Sequence, residues 1–158
     1  MSFITEDGTG LLNANSMVTV VEFDEYFTDR GNTDMTSLTL EEKQSLLVKG
    51  ADYLNLSYVW ENEKLSPEQS MPFPRTVFGL PQAIKRANII LASKANDDDL
   101  IADAERRVKK EKVSSLEIVY DENDTSNGTT FTEVELLVKP YTKVNSYDSD
   151  IFHRVTRA

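Results

Sequence analysis

Apolar and polar positions alternate along this chain with a helical period in three stretches, each opened by a capping signal. Between Thr19 and Gly31, Val20, Val21, Phe23 and Phe27 give an apolar stripe. Thr19 with Glu22 three residues on makes a capping box, and Gly31 can end the helix in the left-handed region. Asn32–Ser37 reads as a polar linker. Thr39 and Glu42 repeat the box and open a second helix to about Leu56, with Leu40, Leu47, Ala51 and Leu54 on one face. A third helix is expected to begin with Pro81 at its first position, where the missing N–H costs nothing, and to bury Ile84, Ala87, Ile90, Leu91 and Ala95. Asp97–Asp99 suits the start of a fourth helix, from Leu100 to about Lys112.

Beyond Lys112 the period changes. Val113, Leu116, Ile118 and Tyr120 form a short β-prone run that ends in Asp121–Gly128. That polar run has calcium-loop composition, but Ser126 stands where a sharp-turn glycine is needed and Thr132 where the twelfth-position Glu would be, so it reads as a surface turn. Thr132–Tyr141 carries another Thr-x-x-Glu box and leaves two readings open: a short helix stopped at Pro140, or a strand paired with 113–120. The pattern predicts a mainly α fold: a small four-helix domain over residues 16–141 with a short β-strand or hairpin element. Extended arms flank it. Residues 1–15, rich in Gly, Asn, Thr and Asp, are expected to be mobile. Residues 142–158 carry Tyr147, Ile151, Phe152, Arg154 and Val155, apolar anchors and a cation with nothing local to pack on, and are expected to dock on a partner.

Tyr58 to Pro81 fits neither period. It is too apolar for a solvated loop and too rich in proline for a helix. Pro72 and Pro74 remove two backbone donors and push Met71 and Phe73 into extended geometry. The result is a stiff strap bearing Trp60, the one tryptophan, with Gln69, Phe73, Pro74, Arg75 and Phe78. Two roles stay open for it: a plug of the core between two helices, or a functional surface.

At 158 residues the chain supports one domain with a sizeable core. No apolar run is long enough to span a bilayer, and the N-terminus lacks the pattern of a secretory signal. There is no cysteine, which excludes disulfides, thiolate chemistry and Cys-based zinc sites. The chain is thus expected in a cytosol or a virion. The net charge of −10 is unevenly placed: residues 1–80 hold 13 acidic and 5 basic side chains, whereas 81–112 hold 8 basic and 6 acidic. Such a protein is a poor general DNA binder, because affinity for the duplex comes mainly from displacing counterions with Lys and Arg. The cluster Arg106, Arg107, Lys109, Lys110 and Lys112 is a local exception, explained by the preference of cations for a helix C-terminus.

Catalytic chemistry has no visible residue set. His153 is the sole histidine and lies in the polar tail; no carboxylate is singled out among 27; the six glycines form no phosphate loop. Neither an enzyme nor a cofactor or metal is expected.

In order along the chain come Asn15-Ser16, Tyr26-Phe27, Arg30-Gly31, Ala51-Asp52-Tyr53-Leu54, Tyr58, Trp60, Gln69 and Phe73-Pro74-Arg75. Pro81, Ile84 and Ala87 follow, then Val108-Lys109, Glu111-Lys112-Val113, Leu116-Glu117, Tyr120, Leu136-Leu137 and Pro140-Tyr141. In these residues the chain resembles a bacteriophage family of DnaT-like single-stranded DNA-binding proteins, which in turn look like head–tail adaptors of tailed phages. Trp…Gln…Phe-Pro-Arg before a Pro-led, Ala-rich helix is the most specific part. Glu61 and Ser114 stand where the family pattern has glycine, and the tail beyond Tyr141 is this chain's own.

The resemblance implies a structural virion protein of the neck, made in the host bacterial cytoplasm. It would form a ring of adaptor subunits, twelve to match portal symmetry, between the portal protein and a stopper, tail-tube or nozzle protein, around the channel through which double-stranded DNA passes; an exposed part of the strap would pack against the adjacent subunit, with Arg75 paired to one of its carboxylates. The alternative it implies is a replication accessory protein that binds single-stranded DNA. That role needs aromatic stacking platforms interleaved with a basic groove, and Tyr53, Tyr58 and Trp60 have Asp52, Glu61 and Glu63 as neighbours instead.

Overall fold

A computed structural model describes residues 2–101, 110–113, 116–119 and 131–143. The described chain is mainly helical, in the order α1 (Val20–Thr28), α2 (Thr33–Thr36), α3 (Leu40–Ser57), α4 (Gln82–Asp97), β1 (Lys110–Val113), β2 (Leu116–Val119) and α5 (Thr132–Val138), the last running into a 3-10 turn at Lys139–Tyr141.

Both capping boxes form. The Thr19 hydroxyl accepts from the Glu22 N–H at 3.1 Å while the Glu22 carboxylate accepts from the Thr19 N–H at 2.8 Å, and Thr39 and Glu42 repeat the exchange at 3.3 and 2.8 Å. Gly31 closes α1 with φ of 65°, which lets the Asn32 N–H reach back to the Phe27 carbonyl at 2.9 Å. The expected linker holds a one-turn helix: Asn32 caps α2 by accepting from the Met35 N–H, and Met35 is buried. Two members of the predicted stripes face solvent. Leu40 is the first residue of α3, a turn before the helix meets the core, and Val21 lies off the line of Phe23 and Phe27. Pro81 is the N-cap of α4, one residue outside the helix it was expected to begin.

Most of the expected fourth helix, from Leu100 to about Lys112, lies outside the described residues; of its ends, Leu100 and Ile101 are in a turn and Lys110–Lys112 in a strand. α4 runs on to Asp97, Asp98 caps its C-terminus by donating its N–H to the Lys94 carbonyl, and the Asp99 carboxylate accepts from the Ile101 N–H. The acidic run therefore closes α4. Lys110–Val113 is a strand, paired antiparallel with Leu116–Val119 in the register Lys110↔Val119 to Val113↔Leu116. The β-prone alternation extends back through Lys110-Glu-Lys-Val, and a local hairpin satisfies those backbone groups where a helix end was expected. Residues 102–109 and the surface turn at 121–128 lie outside the described residues. Thr132–Val138 is a helix, but its capping box does not form: Thr132 is already helical, and Phe131 occupies the cap without a side-chain acceptor.

Residues 2–15 are no loose arm. The Glu6 carboxylate is 1% exposed and accepts from the N–H groups of Gly8, Gly10 and Leu11 at 2.8–2.9 Å. Gly8 and Gly10 have φ of 97° and 84°, and this local turn aims their N–H groups inward. Thr5 and Ser16 form a parallel bridge, and the Ser70 hydroxyl donates to the Ala14 carbonyl. The segment keeps no regular structure, yet it is part of the body.

The core centres on α3 and α4. Leu47, Ala51 and Leu54 face Ile84, Ala87, Leu91 and Ala92, all completely buried, with Phe23, Met17, Val18, Val134 and Val138 closing the sides. Gly50 allows the approach: a Cβ there would lie 2.8 Å from the Asn88 Nδ2 and carbonyl oxygen. Asn88 is itself fully buried and fully used. Its Nδ2 donates to the Leu47 carbonyl at 2.9 Å, and its Oδ1 accepts from the Met17 N–H at 3.3 Å. Lys43 ties α3 to the Thr36 carbonyl and to Asp24, each at 2.8 Å.

Candidate assembly surface

The strap runs from the end of α3 to the start of α4, and its marked residues point inward. Trp60, Gln69, Phe73 and Arg75 are all buried; Pro74 is buried with them and Phe78 is half-buried. Phe73 meets Trp60 edge-on at 4.9 Å, Trp60 meets Tyr58 at 5.3 Å, and Tyr141 closes the cluster against Phe73 and Phe78. Phe73–Pro74 is a cis peptide. Gln69 acts as a backbone staple: its Nε2 donates to the carbonyls of Met71 and Pro74, and its Oε1 accepts from the Ser66 N–H, all at 3.0 Å.

Among the described residues Arg75 has no carboxylate partner. Its guanidinium donates to the carbonyls of Pro72, Glu61 and Asn62 of its own chain, and burial lowers its pKa from the ordinary value. Of the two roles open to the strap, the core plug is the one these side chains occupy. Three of its five N–H donors are taken by loop carbonyls of its own strap.

The C-terminal segment leaves the body along the strap. Glu61 donates its N–H to the Tyr141 carbonyl at 2.8 Å and Lys143 donates to the Val59 carbonyl at 2.9 Å, with Trp60 facing Thr142 in an antiparallel bridge. Tyr147, Ile151, Phe152, Arg154 and Val155 lie outside the described residues.

The surface that remains carries no exposed aromatic ring among the described residues. Tyr53 is half-buried against Tyr58 and Phe131, and the half-buried Tyr26 ring is covered by the Arg30 guanidinium at 3.5 Å. The Tyr58 hydroxyl donates to Glu135 at 2.7 Å; burial, then this bond, raises its pKa. What the surface does expose are single aliphatic side chains, Leu56 and Val59 at the end of α3, Leu65 and Val77 on the strap, and Leu136 on α5.

One open groove of about 610 Å³ lies between α1, the first half of α4, and α5. Tyr26, Ile89 and Leu137 give it an apolar lining. Its α1 side carries Glu22, Glu25 and Asp29, with Arg30 laid over Tyr26, and its α4 side Lys85 and Arg86. Lys85 and Glu22 bridge the two helices at 2.7 Å. Burial works to raise the Glu22 pKa, but the bonds from Lys85 and Thr19 outweigh it and hold the carboxyl below its ordinary value. The sequence pattern does not show this groove, nor the burial of Glu6, Lys43 and Asn88. The cue for Asn88 was a lone polar residue inside an apolar α4 stripe. Among the described residues no group of three His, Cys, Asp or Glu is placed to hold a metal ion. No helix there is long and apolar enough to cross a membrane.

Fold and surface together define a small, mainly helical, acidic domain with an internal aromatic strap. The whole chain, residues 1–158, matches the family described as "Putative DnaT-like ssDNA binding protein", and the protein belongs to that family. No curated protein and no solved structure matches it.

Proposed function

We propose that this protein is a structural adaptor of a tailed-phage neck, one subunit of a ring that joins the portal protein to the next stopper, tube or nozzle component around the DNA channel. The observation that carries this reading is the disposition of its rings and charges. Every aromatic among the described residues is buried or half-buried in the body, and the chain has a net charge of −10. Base stacking needs exposed rings beside cations, and phosphates need a basic track. A rigid acidic wedge suits a conduit along which DNA slides without adhering. A terminal segment with spaced apolar anchors suits docking on the portal or on a neighbouring subunit.

The family description favours a second reading, single-stranded DNA binding in replication, and the comparisons offer nothing for a virion role. The two readings separate cleanly. The full chain is mixed with the portal ring of the same phage and imaged, and in parallel titrated with a labelled oligothymidylate over a salt series. A ring added to the portal, with no salt-sensitive retention of the oligonucleotide, upholds the adaptor. Tight binding that weakens steeply with salt, and no portal complex, transfers the protein to replication.

A further inference from the structure

We infer that the groove between α1 and α4 is the seat for residues 144–158 of a second copy of this chain. The inference rests on the ring reading above. The groove is bipolar: Glu25 and Asp29 lie on one side, Arg86 on the other, and Tyr26, Ile89 and Leu137 between. Among the described residues those three charged side chains make no ion pair, whereas Lys85 is engaged by Glu22 and Arg30 lies on Tyr26. The segment after Lys143 has the matching order. Asp148 and Asp150 come first, Ile151 and Phe152 follow, and Arg154 and Arg157 come last. Its acidic half complements Arg86, its aliphatic and aromatic pair the groove lining, and its basic half Glu25 and Asp29.

Length permits the reach. Fifteen residues span up to about 50 Å when extended. They start from a fixed root, since Lys143 is bonded to the Val59 carbonyl. A groove and a segment at different places on one surface make a heterologous contact, in which each copy offers one of each. Repeated, that contact closes a ring when its rotation returns to the first subunit.

The absence of cysteine makes the test direct. Full-length Gln82→Cys, with the new thiol on the groove, is mixed with full-length Phe152→Cys and oxidised with diamide; the products are separated without reductant. The control pairs Phe152→Cys with Glu68→Cys, on the strap away from the groove. The expected result is a heterodimer formed at least about tenfold faster with Gln82→Cys than with the control. Adding Arg86→Glu to the Gln82→Cys chain should slow it, and Asp148→Lys with Asp150→Lys in the Phe152→Cys chain should restore it. Equal rates at the two positions overturn the inference. So does a Gln82→Cys/Phe152→Cys double variant that closes on itself while the mixed single variants do not pair, because the segment would then occupy its own groove. Portal binding without the cross-link defeats only this seat; the cross-link without portal binding defeats the adaptor.

Discussion

Arg75 donates to the carbonyls of Glu61, Asn62 and Pro72, and so converts a long irregular connection into a fixed part of the core. Removing it strands three acceptors near the interior. Arg75→Ala is expected to cost about 2–4 kcal/mol in chemical denaturation, and Arg75→Lys should recover less than half, because an ammonium lacks the planar fork. Trp60 sits beside it under a different rule. The ring is 5% exposed and its indole N–H has no partner among the described residues. Trp60→Ala is expected to lose about 3–5 kcal/mol but Trp60→Phe under about 1.5, since the second change gives up volume and no hydrogen bond. A Phe variant as unstable as the Ala variant would mean that the N–H does bond. The sequence placed Trp60, Phe73 and Arg75 on one strap, but not the partners of Arg75. Those depend on where loop carbonyls point, and that is set by a turn with Asn62 at φ of 60°.

Single helices were legible where the signal is local. Thr19 and Thr39 each precede a Glu at the third position, and both boxes close in α1 and α3. Thr39→Ala should destabilise by about 1 kcal/mol. The box in α1 also carries a pH signature. Glu22 has a folded pKa below its ordinary value, so its contribution is present at neutral pH and is lost as pH falls through that lowered pKa. Glu22→Gln should accordingly be less stable than the parent by about 0.5–1 kcal/mol at pH 7, and the two melting curves should converge once the pH is below that lowered pKa. A gap that persists in acid would assign the loss to packing. The signal failed where one residue type serves two ends. Aspartate caps a helix start well, yet Asp98 and Asp99 hold the close of α4 and the turn after it. The third Thr-x-x-Glu match failed as a cap because α5 begins one residue earlier than the box requires.

At the scale of the molecule, the largest departure from the sequence pattern is the N-terminus. Its composition is that of a loose arm. What orders it is Glu6, and the pattern does not show it, because the carboxylate gains its three N–H donors only once two glycines turn through the left-handed region. Ala14 and Ser16 are then buried and Asn15 bonds back to Ile4. Deleting residues 2–11 is therefore expected to lower the melting temperature by at least about 10 °C, read by circular dichroism; an unchanged melt would return the segment to the status of an arm. The mainly helical class, the three principal helices and the strap were all readable from period and caps. The α1–α4 groove was not, since its two sides come from helices some 60 residues apart in sequence.

The short ladder between residues 59–61 and 141–143 has a mechanical meaning. Tension on the chain beyond Lys143 enters the body at Val59 and Glu61, and so bears first on the backbone that flanks Trp60 and that Arg75 clamps. The strap is thereby a load path: a pull on the C-terminus is delivered to the aromatic centre of the fold before it reaches any helix.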